Sequence, residues 1–282
     1  MQPTLTIDRC ELADTAQPTK LAELLYSQLS NQLENPVPIN IEACAAACGI
    51  LEIRELETTS FEGGLIQDDT KTNGFILVNQ TSPTFRKRFT IAHELGHFLN
   101  LRHVAKPGQT RLMCTKEDMS LREKGRNSVS DMEREANEFA SHLLMPKSFL
   151  ATHRLIRQTP SLQNIIDLQN LCQVSKESAA RRLTELHGDH VAIIFSKNGR
   201  FIYSVRSEDF PYINLKKDQQ IFSKSLTKEF SGSIGDISDQ EETDAFLWLD
   251  DKDARNWTIW EEVLLQQNGY RMTLLLGEVD EE

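Results

Sequence analysis

The feature that most constrains this chain is an H-E-x-x-H motif at residues 93–97, inside a largely apolar segment at 88–101. His93 and His97 are four residues apart, so on a helix they share one face with Cβ atoms roughly 5–6 Å apart. Two imidazoles at that separation can hold one metal ion, and Glu94 beside them can act as a general base toward water. The motif therefore predicts a metal site on a helix.

The neighbours of the motif indicate a buried helix. Large apolar residues surround it on most sides, among them Phe89, Ile91, Leu95, Phe98 and Leu99. Two histidines on the surface of an amphipathic helix would be the simplest alternative. Buried imidazoles and carboxylates are costly without partners, however, and one metal ion would satisfy all three. We therefore expect an occupied metal site.

Length and charge limit the classes of protein to consider. A chain of 282 residues suggests two domains, or one domain with additions. The net charge of −11 argues against general adhesion to nucleic acid or to anionic membranes. The acidity is concentrated at residues 191–282, which hold 10 Lys and Arg against 18 Asp and Glu.

The cysteines and the hydropathy pattern favour a cytoplasmic protein with no membrane partner. The first residues lack a basic segment followed by an apolar core, and no run of about 18 apolar residues occurs. The cysteines are odd in number and scattered, which fits a reducing compartment: Cys10, Cys44, Cys48, Cys114 and Cys172. Cys44 and Cys48 lie on an apolar predicted helix, so we interpret them as small buried residues and not as metal ligands.

The residues before the motif predict short helices and strands. We expect helices at 18–34 and 39–49, strands at 50–56, 65–67 and 75–79, and a turn at 68–74 with Asn73-Gly74 at its tip. Short strands followed by a buried H-E-x-x-H helix suit an α+β zinc peptidase domain. In such a domain an edge strand can pair with an extended peptide.

A third metal ligand is expected from the helix that follows. Residues 102–130 are polar and irregular, which suggests a basic loop that acts as a lid. Ser130 then begins a helix that runs to residue 144. A tetrahedral zinc centre needs one more protein ligand, and from the pattern alone Glu133, Glu135 and Glu138 compete for that role. Asn137 shares a face with Glu133 and could orient a ligand.

These segments together resemble the ImmA/IrrE metallopeptidase family. The resemblance runs over roughly residues 20–150, in order, through PVPINIEA, GILEIREL, FILVN, RFTIAHELGHFLNL and EREANEFASHLLMP. It implies a minimal zincin-like fold, made of a short sheet, the H-E-x-x-H helix and a helix that carries a glutamate ligand. It also implies a zinc-dependent endopeptidase that cleaves a helix-turn-helix repressor encoded beside it.

The resemblance also implies roles for single residues. His93, His97 and Glu133 become the ligands of one Zn²⁺ per chain, because the family's glutamate ligand lies four residues before the asparagine at Asn137. Glu94 becomes the general base. The spacing of 36 residues between His97 and Glu133 is long for the family, which makes the intervening loop unusual.

Two features of that loop remain open. The oxyanion of a peptide-cleaving reaction needs a stabilising group, and His103 or an arginine of the loop are candidates for this contact or for one with the substrate. Zinc also binds thiolate well and keeps a fourth position. We therefore advance the hypothesis that Cys114 occupies that position in an autoinhibited form, against the alternative that it has no role.

The rest of the chain predicts two further parts after a peptidase domain at 1–150. Residues 151–188 form a helix-turn-helix-like segment with Lys176, Arg181 and Arg182 outward; it either binds DNA or packs as a helical hairpin, and we favour packing. Residues 189–282 form a mixed α/β domain with a type I′ turn at Asn198-Gly199. A small-molecule sensor of the GAF-like type is one possibility for that domain.

We therefore interpret the chain as a regulated zinc endopeptidase that cleaves a repressor in response to stress, such as DNA damage or phage infection. Single-stranded DNA is a candidate activator. The alternative is a non-proteolytic, zinc-containing regulator that binds DNA. The presence of Glu94 argues against it, since a structural zinc site needs no general base.

Overall fold

The structure, a computed structural model, describes residues 5–103, 111–114 and 128–279, with the backbone alone at 111–114 and 128–129. The chain is α+β, as predicted, and divides into two compact units. The first comprises residues 1–149 and 171–175, and the second comprises residues 150–170 and 176–282. No described helix is long and apolar enough to cross a membrane.

The first unit combines a mixed sheet with helices that cover one of its faces. Its helices are α1 (Arg9–Ala13), α2 (Pro18–Ser30), α3 (Ile41–Ala47), α4 (Thr84–Leu99) and α5 (Ser128–Leu144). Its strands are β1 (Ile50–Leu56), β2 (Gly63–Gln67), β3 (Gly74–Asn79) and β4 (Arg111–Cys114). The strand order is β1-β3-β2-β4; β1 runs parallel to β3, and the other pairs are antiparallel.

Apolar side chains spaced along the helices build the core of this unit. α2 begins with Pro18 and turns Leu21 and Leu25 inward. Helix α4 is buried along its whole second half, which includes the completely buried Phe98, and α5 contributes the buried Phe139. The predicted burial of the motif helix is therefore confirmed.

Two local predictions in this unit were wrong. The turn between β2 and β3 is organised by Asp68, whose carboxylate accepts hydrogen bonds from the backbone of Thr72 and Asn73. Lys71 takes the positive φ there (52°), and Gly74 already belongs to β3. Helix α5 begins two residues before the predicted start at Ser130.

The second unit is built on an antiparallel sheet. After the short α6 (Lys147–Leu150), at the boundary of the units, come α7 (Arg154–Arg157), α8 (Leu162–Cys172), α9 (Lys176–Leu186), α10 (Leu226–Glu229) and α11 (Asp251–Ala254). The strands are β5 (His190–Lys197), β6 (Arg200–Arg206), β7 (Glu241–Thr243), β8 (Trp257–Leu265) and β9 (Tyr270–Val279). Their order is β6-β5-β9-β8-β7.

The predicted type I′ turn between β5 and β6 is confirmed. Asn198 and Gly199 have φ values of 51° and 73°, which is the left-handed conformation that this turn requires. On one face of the sheet a core forms around the completely buried Trp248 and includes Phe210 and Leu275. The GAF-like likeness and the three-domain division stay predictions.

The helix-turn-helix-like segment contains α8 and α9, but its basic side chains do not all point outward. Arg182 is buried and forms an ion pair with Glu185, 2.8 Å away. Arg181 lies over the ring of Tyr203 and is paired with Glu177. The prediction that Arg182 points outward was wrong, because α9 packs this side chain into the second unit.

Candidate metal centre

Helix α4 places the residues of the H-E-x-x-H motif in the interior of the first unit. His93, Glu94 and His97 are all completely buried. One turn of helix brings the imidazole rings of His93 and His97 to a centroid separation of 4.7 Å, with their Nε2 atoms 3.1 Å apart. Both rings therefore direct the same nitrogen toward one point.

Helix α5 brings Glu133 to that same point. Its carboxylate oxygens lie 3.2 Å from His93 Nε2 and 3.5 Å from His97 Nε2, and its side chain is 13% exposed. Among the described residues, these three offer ligand atoms that all lie within 4.8 Å of one another. Two imidazoles and one carboxylate are a common donor set for catalytic zinc, which keeps a fourth position for water. The residues therefore fit a zinc ion.

The outer nitrogens of both imidazoles have partners. Asn137 Oδ1 lies 3.0 Å from His93 Nδ1 and can accept its proton. On the other ring, His97 Nδ1 lies 2.9 Å from His103 Nδ1. Such partners fix the orientation and the tautomer of an imidazole that binds a metal. The structure thus places Asn137 beside the outer nitrogen of a candidate ligand, and its orienting role stays a prediction.

Burial and the neighbouring charges shift the pKa values of this cluster in different directions. Burial lowers the pKa of His97 to about 4. Burial alone would do the same to His93, but its hydrogen bond to Glu133 and the charges of Glu94 and Glu133 outweigh that effect and raise its pKa. Burial would raise the pKa of Glu133, yet its contacts with the two histidines hold that pKa well below the usual range. A neutral His97 and an ionised Glu133 are the forms that bind a cation.

His103 occupies a different place from the one that the sequence suggested. It is buried behind His97, and its Nε2 lies 3.0 Å from Glu135 Oε2 on α5. Because its ring contacts the outer nitrogen of His97, it faces away from the point where the ligand atoms converge. This position favours a supporting role over the predicted contact with an oxyanion or a substrate.

Lys71 is a supporting residue that sequence reasoning missed. It is buried, and its Nζ donates hydrogen bonds to the carbonyl oxygens of His97 (2.8 Å) and Asn100 (2.7 Å) at the end of α4. Burial lowers the pKa of this lysine to about 8. The sequence showed only a lysine in a polar turn, and no local pattern connects that turn to the end of α4.

The predicted lid falls largely outside the described residues. Of the loop, the backbone of β4 is described, and it places Cys114 opposite Gly63 of β2. The side chains of Cys114, Arg111, Arg122 and Arg126 lie outside the described part of the chain, so the predictions made for them are not tested; Arg102 is described and is exposed.

Comparison with known proteins agrees with this geometry. Residues 50–184 match a peptidase family model described as the IrrE N-terminal-like domain. The match covers α4 and α5, and thus all three candidate ligands and Glu94. No curated protein matches the chain.

Proposed function

Since its IrrE N-terminal-like domain places this chain in the ImmA/IrrE family of metallopeptidases, we propose that it is a zinc-dependent endopeptidase with Glu94 as its general base. The observation that carries the proposal is the convergence of His93, His97 and Glu133 beside a buried Glu94. A site of purely structural zinc would need a fourth protein ligand and no adjacent carboxylate. The donor set therefore favours hydrolysis.

Each residue has a defined task in this reaction. His93, His97 and Glu133 hold the ion through two nitrogens and a carboxylate. A bound zinc ion supplies Lewis acidity, because it lowers the pKa of water and polarises a carbonyl group. Glu94 takes the proton of the attacking water and delivers it to the leaving amine. The burial of Glu94 keeps its carboxylate in a low-dielectric setting, where such transfers are sensitive to position.

The substrate class is the finer part of the proposal. We expect cleavage of a specific helix-turn-helix repressor encoded nearby, triggered in the cytoplasm by stress such as DNA damage or phage infection. The support is the family resemblance, together with an additional compact unit beyond the peptidase unit. An added unit suits control of proteolysis more than general turnover of proteins.

The test is cleavage of that repressor by the purified chain with zinc, compared with its Glu94→Gln variant. We expect cleavage that stops when a chelator removes the metal and returns when zinc is added. Glu94→Gln should keep its zinc and lose cleavage, because Glu94 is not a ligand. Glu138→Gln is a matched control on α5, since that side chain is 37% exposed, and it should remain active. Cleavage by Glu94→Gln at the parental rate would refute the mechanism.

A zinc-containing regulator that binds DNA without proteolysis is the competing function. The buried Arg182 weakens it, because fewer basic groups of α9 remain to contact phosphates. Activation of the peptidase by single-stranded DNA is a separate proposal. It predicts that short single-stranded DNA binds to the protein with an affinity that falls steeply as the salt concentration rises. A titration with such strands that detects no binding would exclude this activation.

Autoinhibition by Cys114 is the last part of the proposal. A thiolate in the fourth zinc position would exclude water until it is displaced. Support comes from the register of β4, which puts the backbone of Cys114 in the sheet of the peptidase unit, opposite Gly63. Cys114→Ala should raise basal proteolysis, while Cys10→Ala, at an exposed cysteine of α1, should not. Equal basal rates in the parent and Cys114→Ala would exclude this regulation.

A further inference from the structure

A buried chain of hydrogen-bonding groups leads from His97 to the edge of the first unit. His97 Nδ1 contacts His103 Nδ1 at 2.9 Å, and His103 Nε2 contacts Glu135 Oε2 at 3.0 Å. His97 and His103 are almost completely buried, whereas the side chain of Glu135 is 30% exposed. The arrangement joins α4, the residues just after it and α5.

The chemistry of these groups allows one consistent placement of protons. An ionised carboxylate can only accept, so His103 Nε2 carries a hydrogen and donates it to Glu135. The other nitrogen of a neutral His103, Nδ1, can then only accept. His97 Nδ1 must therefore carry a hydrogen and donate it. His97 Nε2 is left with its lone pair, on the side where Glu133 and His93 lie.

Asn100 also contacts His103 and Glu135, and its hydrogen bonds are compatible with that placement of protons. Its Nδ2 lies 3.2 Å from Ala16 O and 3.2 Å from Glu135 Oε2, so both of its hydrogens have acceptors. The contact between Asn100 Nδ2 and His103 Nε2, at 3.1 Å, then needs no hydrogen bond. Asn100 thus holds Glu135 in place without competing for the proton of His103.

We propose that Glu135 and His103 are positioning residues that set the tautomer of His97 and so prepare its Nε2 for zinc. In the opposite arrangement His103 would donate to His97, and the hydrogen of His97 would sit on Nε2, where it blocks a metal. For a neutral His103, Glu135 excludes that arrangement because its carboxylate cannot donate. The inference rests on the proposed zinc site, but the tautomer itself is a property of the metal-free chain.

Two measurements test the proposal on the full chain. The first uses ¹⁵N chemical shifts of the imidazoles in metal-free protein, which report which nitrogen of His97 carries hydrogen. We expect hydrogen on Nδ1 in the parent and a mixture of tautomers in Glu135→Ala. Glu135→Asp, which keeps a carboxylate that can only accept, should retain more of the parental state than Glu135→Ala. Loss of packing alone would not move the hydrogen from one nitrogen to the other.

The second measurement is zinc affinity by competition with a chromophoric chelator. Loss of an outer partner of a ligating histidine typically lowers metal affinity 10- to 100-fold, and we expect a loss in that range for Glu135→Ala and for His103→Phe. Glu138→Gln on the same helix should bind as the parent does. Because Glu135 is partly exposed, its removal leaves no buried cavity.

The outcomes separate this inference from the proposed function. If the parent fails to bind zinc, the proposed function fails, while the ¹⁵N shifts still decide the tautomer. If the parent binds zinc and Glu135→Ala keeps both the parental shifts and the parental affinity, the positioning role is overturned.

Discussion

Gly96 of α4 lies directly against the ring of Phe139 of α5, so the two helices that carry the candidate ligands contact each other at a residue without a side chain. A Cβ atom at Gly96 would come within 2.8 Å of Phe139 Cδ1 and 3.3 Å of its Cβ. Glycine therefore sets the distance between the helix of His93 and His97 and the helix of Glu133.

Gly96→Ala should weaken both folding and zinc binding. Alanine favours a helix by about 1 kcal/mol over glycine, but overpacking of a tight contact costs roughly 1–3 kcal/mol. The ring of Phe139 is anchored to α5 and cannot yield alone, so we expect α5, and Glu133 with it, to shift. Zinc affinity by chelator competition and the free energy of unfolding by urea are the measurements.

A second substitution makes this prediction specific. Phe139→Leu removes the ring that meets the added methyl group, so Gly96→Ala combined with Phe139→Leu should regain zinc affinity relative to Gly96→Ala alone. In a double-mutant cycle the two changes should couple by about 1 kcal/mol or more, as is usual for residues in contact. Additive effects would show that the contact does not control the separation of the helices.

Asn137 should contribute to zinc binding through its contact with His93. In Asn137→Leu the new side chain is similar in size to asparagine but cannot accept a hydrogen bond from His93 Nδ1, which lies 3.0 Å from Asn137 Oδ1. We expect zinc affinity to fall about 10- to 100-fold, as is typical of such partners. Asn137→Asp keeps an acceptor oxygen and should bind zinc more tightly than Asn137→Leu. If both variants bind equally, the hydrogen bond has no role in holding the ion.

Most of the candidate ligand set follows from the sequence, because that information is local. His93 and His97 are one helical turn apart, and helix geometry alone brings them together. The pattern left Glu133, Glu135 and Glu138 open, since spacing does not reveal how α5 turns toward α4. The family resemblance selects Glu133, and in the structure Glu133 lies together with His93 and His97.

What escaped prediction depends on contacts between distant segments. The role of Lys71 requires the turn after β2 to meet the end of α4, 26 residues later in the chain. The sequence leaves His103 as one candidate for the oxyanion contact, beside the arginines of the loop, because its position relative to His97 depends on the path of the chain after α4. The sequence predicts that Arg182 points outward, because a charged side chain on an amphipathic helix is usually solvated.

Lys71 should stabilise the end of α4, and Lys71→Met tests this. The substitution leaves the carbonyl oxygens of His97 and Asn100 without their donor, and a buried group that loses its partner costs roughly 1–3 kcal/mol. We expect faster hydrogen exchange in peptides that span residues 93–103, measured by mass spectrometry. Lys87→Met is the control, because Lys87 forms a partly exposed ion pair with Glu55, which contributes little. Equal exchange in both variants would contradict the role of Lys71.

Glu262 should make the stability of the second unit depend on pH. It is buried on β8, where it accepts a hydrogen bond from Leu162 N at 2.6 Å, yet burial dominates and raises its pKa above the ordinary 4.5. The folded state therefore binds more protons than the unfolded state between pH 4.5 and the raised pKa. Stability must fall as pH rises through that window, and remain lower above it.

Glu262→Gln should remove this loss, because an amide keeps an acceptor for Leu162 N and carries no charge. We expect the variant to gain stability over the parent as pH rises above 4.5, and to gain little below it. All three tryptophans belong to the second unit, so fluorescence during urea unfolding reports on that unit. Glu278→Gln, at an exposed position on β9, should leave the pH dependence as it is in the parent. If the free energies of unfolding of the parent and of Glu262→Gln run parallel from pH 4 to 8, the assignment is contradicted. A carboxyl group whose pKa is raised in the folded state must make the stability of the parent fall with pH relative to that of the variant.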